Sequence, residues 1–137
     1  MRSILLLLLV LMSGAAMAQQ SLPPSASREI EQLFLALEQS HCQFYRNGSW
    51  HAAEEASVHL RRKYNYLVKK GLASSAEVFI DRAASKSSMS GKPYLVKCGS
   101  ATPVESKQWF TGKLREVRAR RTGADNSFKW MPFRGSA

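Results

Sequence analysis

SWHAAEEASVHLRRKYNYLVKKG, residues Ser49 to Gly71, decides the fold class. Ala53, Ala56, Leu60, Tyr64 and Leu67 recur at intervals of three and four, so they share one face of a helix. Ser49 offers a side-chain oxygen to the free N–H groups of a first turn, and Gly71 stands where a left-handed residue ends a helix. The stretch therefore predicts the longest helix of the chain, about Trp50 to Lys70. A helix apolar on one face must bury that face against other elements, which points to a mainly helical domain.

Working outward, the segment before it holds two features. A helix is expected from about Ser27, a capping hydroxyl, with Glu29 in its first turn; Ile30, Leu33, Phe34 and Leu37 form its apolar stripe. Cys42 to Arg46 contains the strand-forming pair Phe44-Tyr45 and ends at the turn pair Asn47-Gly48. On the other side, Ser74-Ser75-Ala76-Glu77 reads as a capping box opening a third helix with Val78, Phe79 and Ala83. Ser85 to Lys92 is a Ser- and Gly-rich loop, and Pro93 to Cys98 is a strand. Thr102-Pro103-Val104-Glu105 is a second capping box, opening a helix whose apolar face is Trp109, Phe110, Leu114 and Val117. The expected fold class is mainly α (α+β), with about four helices, a two-stranded β element and one disulfide. The expected divisions are a signal peptide at 1–18, a linker at 19–26 carrying Pro23-Pro24, a single helical domain at 27–121 and a flexible tail at 122–137. Trp130, Met131 and Phe133 are the tail residues with apolar surface to dock.

The N-terminus predicts export. Met1, Arg2 and Ser3 precede the apolar run Ile4 to Met12, and Ala16-Met17-Ala18 carries small residues where a signal peptidase reads them. The run is shorter than the roughly 20 residues that span a bilayer, and no other stretch is apolar enough to cross one. Cleavage near Ala18 makes the product periplasmic or secreted. In such a compartment two cysteines, Cys42 and Cys98, are expected to pair. The chain holds 20 Lys+Arg against 10 Asp+Glu, a net charge of +10. That excess favours anionic partners; export argues against nucleic acid and leaves an anionic envelope component or another periplasmic protein.

Chemistry-bearing patterns are few. His51, Glu55 and His59 step by four along the long helix, but the three span two turns, too far for one ion, so no metal site and no cofactor is implied. There is no Gly-x-Ser-x-Gly elbow, no His-Glu-x-x-His and no phosphate-binding glycine loop. Asn47-Gly48-Ser49 is formally a glycosylation sequon that a turn followed by a cap explains without sugar. The loop Ser87-Ser88-Met89-Ser90-Gly91-Lys92-Pro93-Tyr94 gathers hydroxyls, a glycine, a cation and an aromatic before a strand. It reads either as a turn satisfying the preceding helix or as a backbone nest for an anion, with Lys92 adding charge.

Four motifs in order, Phe44-Tyr45-Arg46-Asn47-Gly48, Ala56 to Lys63, Ala76 to Asp81 and Ser88 to Tyr94, resemble the YfeK-like family of small exported proteobacterial proteins (domain of unknown function 5329). The likeness covers about Cys42 to Val117. It implies a periplasmic protein and carries no activity, cofactor or catalytic residue. It draws attention to Arg46, Asn47, His59, Lys63, Ser88, Ser90, Gly91 and Tyr94, which join Lys92 of the loop as candidate binding positions. Ser90-Gly91-Lys92-Pro93-Tyr94 is also similar to the Ser-Gly-x-x-Tyr loop of periplasmic lysozyme inhibitors, which are β-barrels. The leading expectation is a small basic exported protein, non-enzymatic, acting by binding or as an accessory. The alternatives are a polyanion or membrane-surface binder driven by charge, a lysozyme-inhibitor-like protein, and an envelope hydrolase with His59 as general base.

Overall fold

The computed structural model describes residues 21–128. Along them run α1 (Pro24–Gln39), β1 (Gln43–Arg46), β2 (Ser49–Ala52), α2 (Ala53–Lys69), α3 (Ala76–Phe79), β3 (Leu95–Lys97), β4 (Val104–Glu105) and α4 (Ser106–Phe128), with a π-helical turn at Ile80–Ala84 continuing α3. The observed class is the expected one: mainly helical, a small β element, one disulfide. Residues 1–18, read as a signal peptide, and Trp130, Met131 and Phe133 lie outside the described residues. Among the described residues no helix is long and apolar enough to cross a membrane.

The β element is larger than two strands, an antiparallel sheet in the order β2-β1-β3-β4. Asn47 and Gly48 both take positive φ, 47° and 90°, the conformation a two-residue hairpin turn needs and which Asn-Gly supplies with little strain. The turn pairs Arg46 with Ser49 and Gln43 with Ala52. Ser49 to Ala52 therefore form a strand rather than a helix start. Helix α2 begins at Ala53 with no side-chain cap, and Glu54 and Glu55 in its first turn complement the positive end of the helix. On the far edge, Val96 pairs with Val104 and Leu95 with Glu105. This extends the second expected capping box into β4, so α4 opens at Ser106.

The ends of the domain also differ from expectation. Helix α1 starts at Pro24, inside the expected linker, because proline at a first helical position loses no N–H bond and has a helical φ already. Helix α4 runs past Arg121 to Phe128, and the Thr122 hydroxyl donates to the Arg118 carbonyl at 2.7 Å. Once nucleated, a helix gains a bond with each added residue.

The stripes read from sequence form the core. Ile30, Leu33, Phe34 and Leu37 of α1 are fully buried against Ala53, Ala56, Leu60, Tyr64 and Leu67 of α2. Phe34, Tyr64 and Phe79 meet with ring centroids 5.3–5.9 Å apart, and Phe110 of α4 approaches Phe79 edge-on at 6.3 Å. Phe44 and Val96 close this core from the sheet. Ser75 caps α3, accepting from the Val78 N–H at 3.1 Å. Cys42 and Cys98 are bonded across 56 residues, with Cα atoms 4.2 Å apart, tying the entrance of β1 to the exit of β3. The two strands pair antiparallel, Phe44 opposite Val96.

A polar clamp holds the helices from the other side. Arg118 of α4 donates from Nε and Nη2 to the Glu29 carboxylate at 3.0 and 2.9 Å, and from Nη1 to Glu77 at 2.6 Å. Glu29 is 7% exposed, and the Arg118 bonds hold its carboxyl below the usual range.

Candidate functional site

The hairpin, helix α2 and the loop between the π turn and β3 converge on Tyr94. Its ring is buried beside Phe44, centroids 5.1 Å apart, because the disulfide and the β1–β3 pairing bring the two segments side by side. The backbone holds it from both ends: the Tyr94 N–H donates to the Ser85 carbonyl at 2.9 Å, and its carbonyl accepts from the Ser106 N–H at 2.9 Å. The hydroxyl lies 3.3 Å from Nε2 of His59 and 3.3 Å from Nζ of Lys63.

His59 and Lys63 stand one turn apart on α2, so they present side by side to that hydroxyl. Lys63 also donates to the Lys86 carbonyl at 3.0 Å, and its Nζ lies 5.1 Å from the Tyr94 ring centroid. Burial is the main reason the His59 imidazole titrates at about 4; Arg46, Lys63, Arg62 and His51 push it the same way. Burial, and then Arg46, bring Lys63 down to about 8. Burial raises the Tyr94 phenol, with Arg46 opposing. Near neutral pH the site therefore holds a neutral imidazole, a neutral phenol and a positive field from Arg46 and Lys63. Among the described residues neither cation has a carboxylate partner. Arg61, by contrast, is bound to Glu31 and Glu38, and Lys107 to Asp81.

The remaining candidates sort into two groups. Asn47 and Ser90 meet, Ser90 Oγ donating to Asn47 Oδ1 at 3.3 Å, which fastens the hairpin turn to the loop. Ser88, with Arg62, Lys63, Tyr66, Leu67 and Arg82, lines an adjoining groove of about 280 Å³. Among the described residues the hydrogen bonds of Gly91 and Lys92 run within the loop and not to His59 or Tyr94. Gly91 takes φ 70° and its N–H donates to the Ser87 carbonyl; the Ser90 N–H goes to Ser87 Oγ and the Lys92 N–H to Ser90 Oγ. These three donors are used within the loop, as in a turn that satisfies itself. Tyr94 is buried, and the surrounding fold is helical rather than a barrel, so the likeness to the lysozyme-inhibitor loop ends at the five residues. His51 pairs with Glu55 at 2.8 Å while His59 faces Tyr94; among the described residues no group of three or more His, Cys, Asp or Glu could hold a metal.

Sequence reading missed the groove residues Tyr66 and Arg82, and read Leu67 as core alone. The basic pair Arg62-Lys63 was its only local signal, since Arg82 reaches the groove through the irregular π turn. The clamp residue Arg118 was missed as well, lying on a helix whose apolar face alone was periodic.

A small helical domain with a disulfide-pinned antiparallel sheet and a carboxylate-free cationic cluster is what fold and site define. The chain belongs to the family of unknown function DUF5329, whose model matches residues 24–118. It is similar to the uncharacterized protein YfeK of Salmonella typhimurium, 50% identical over 51 residues. That match covers 37% of this chain and spans 41% of the length of the relative. No solved structure matches the chain.

Proposed function

We propose that this is a non-enzymatic, exported binding protein of the cell envelope, whose cluster of Arg46, His59, Lys63 and Tyr94 receives an anionic group of an envelope component. The observation that carries the reading is charge without compensation: two cations act on one buried hydroxyl and a half-buried imidazole, and among the described residues no carboxylate pairs with either. An arriving anion would accept from Lys63 Nζ and the Tyr94 hydroxyl and relieve the repulsion between Lys63 and Arg46. Charge-assisted bonds of this kind are about twice as strong as neutral ones. The neutral His59 faces a phenol that also meets Lys63, polar groups that suit the holding of an anion. Export and periplasmic residence are supported by the N-terminal sequence and by a disulfide, which persists in oxidising compartments.

Sulfate, dianionic across the working pH range, is the test probe. Calorimetric titration of the mature chain should show one site that weakens at least about ten-fold in Arg46→Gln and in Lys63→Met, a loss of about 1.4 kcal/mol. Sulfate affinity equal in wild type and both variants would overturn the assignment.

A further inference from the structure

We propose that the groove between α2, the π turn and the loop before β3 binds a small amphipathic anion: one acidic head group, of the carboxylate, sulfonate or phosphate kind, on a short apolar body. The proposal is independent of the reading of the Tyr94 cluster, with which the groove shares only Lys63.

Size comes first. At about 280 Å³ the groove lies just under the roughly 300 Å³ at which small-molecule sites begin, so the occupant is a short chain or a single ring. Its walls fix the rest. Leu67 is buried and provides an apolar floor, while Tyr66 beside it is 58% exposed, an aromatic surface that no other element covers. Lys70 Nζ sits 5.8 Å from the Tyr66 ring centroid. Arg62 and Arg82 line the same groove from two different elements. Neither forms an ion pair among the described residues, although Arg61 next to Arg62 is held by Glu31. No carboxylate lines the groove. Two guanidiniums without an ion pair among the described residues, over an apolar floor, match an anion that carries its own apolar surface; a bare inorganic anion would leave Leu67 and Tyr66 unused, and a neutral apolar molecule would leave both guanidiniums without a partner in the groove.

Alkanesulfonates separate these contributions at constant charge. Methanesulfonate, butanesulfonate and hexanesulfonate, kept monomeric, are titrated calorimetrically into the mature chain, with hexanol as the uncharged control. Each methylene buried improves affinity about four-fold, so hexanesulfonate, longer by two methylenes, should bind about fifteen-fold more tightly than butanesulfonate and far more tightly than methanesulfonate. Arg62→Gln with Arg82→Gln, and separately Tyr66→Ala, should each weaken hexanesulfonate about ten-fold without moving the melting temperature. Arg46→Gln should leave it unchanged, which distinguishes this groove from the Tyr94 cluster. The proposal is overturned if affinity is indifferent to chain length, if hexanol binds as well as hexanesulfonate, or if the double arginine variant binds like wild type. Binding to phosphatidylglycerol vesicles without binding of monomeric hexanesulfonate would equally end it, in favour of a membrane-facing surface.

Discussion

The Tyr94 hydroxyl lies 3.3 Å from Nε2 of His59, a contact that joins residues 35 apart in sequence and fixes the loop before β3 against the middle of α2. The same oxygen accepts from Lys63, so removing it leaves two partly buried polar groups short of a partner. Tyr94→Phe keeps the ring beside Phe44 and should cost about 1–3 kcal/mol, the penalty for orphaned polar groups. Tyr94→Ala also vacates the ring and should cost about 3–5 kcal/mol. Urea unfolding of both variants measures the two contributions; a Tyr94→Phe variant as stable as wild type would mean that the hydroxyl does nothing.

Protonation of His59 should oppose folding. Its folded value of about 4 lies below the 6.5 of a free imidazole because of burial and the field of Arg46, Lys63, Arg62 and His51. Between those values the unfolded chain binds the extra proton, so stability falls as pH drops from about 6.5 to 4. His59→Gln should flatten that limb of the melting-temperature profile. An anion at the cluster reverses the sign of the local field and favours imidazolium, so sulfate should bind more tightly at pH 5 than at pH 7, with proton uptake. Titration at pH 5.5 in two buffers of different ionisation enthalpy reads that uptake, and it should vanish in His59→Gln.

Reduction of Cys42–Cys98 should destabilise the domain by about 2–5 kcal/mol, since the bond closes a 56-residue separation. The loss should concentrate where β1 meets β3, because strands of four and three residues pair weakly on their own. Hydrogen exchange should show Phe44 and Val96 amides losing protection ahead of α1 and α2. Uniform loss across the helices would show that the bond constrains the whole chain rather than the sheet.

Helical elements were legible because their signal is periodic and local. The stripes Ile30-Leu33-Phe34-Leu37 and Ala53-Ala56-Leu60-Tyr64-Leu67 came straight from spacing and are buried as read. The outer strands were not legible for two different reasons. Ser49 to Ala52 is exposed or half-exposed along its length, so it has no alternating pattern, and only the conformational demand of Asn47-Gly48 marks it as half of a hairpin. Val104-Glu105 is two residues long inside a good capping box, and pairing with Leu95-Val96 overrides that local preference. In the candidate site, motif positions drew Arg46, His59, Lys63 and Tyr94 into one list, but their convergence depends on the disulfide and the strand pairing. Charge was the least legible property. Arg61, Arg62 and Lys63 are consecutive cations, yet Arg61 is bound to Glu31 while its two neighbours line the groove.

Arg118 ties α4 to two other elements, because its guanidinium meets the carboxylates of Glu29 and Glu77. Glu29 is 9% exposed at its side chain, and its carboxylate is held ionised chiefly by the Arg118 hydrogen bonds, against the desolvation that would raise it. Arg118→Met removes the donors and keeps most of the stem, leaving a buried carboxylate whose remaining cation among the described residues is Arg121, 3.7 Å away. A loss of about 1–3 kcal/mol is expected. Glu29→Gln in the same background should restore part of it, since a neutral amide is buried at lower cost than an unpaired charge. The pH dependence has a definite sign. Glu29 and Glu77 both titrate below their ordinary values in the folded chain, so the unfolded chain takes up protons first as the solution is acidified. Their contribution is complete above about pH 4.5 and disappears as pH falls through their lowered folded values. Arg118→Met should therefore unfold less steeply with acid below pH 4.5 than wild type does. A variant that lost stability equally at pH 3 and pH 7 would show that Arg118 acts through packing of its stem rather than through its charge.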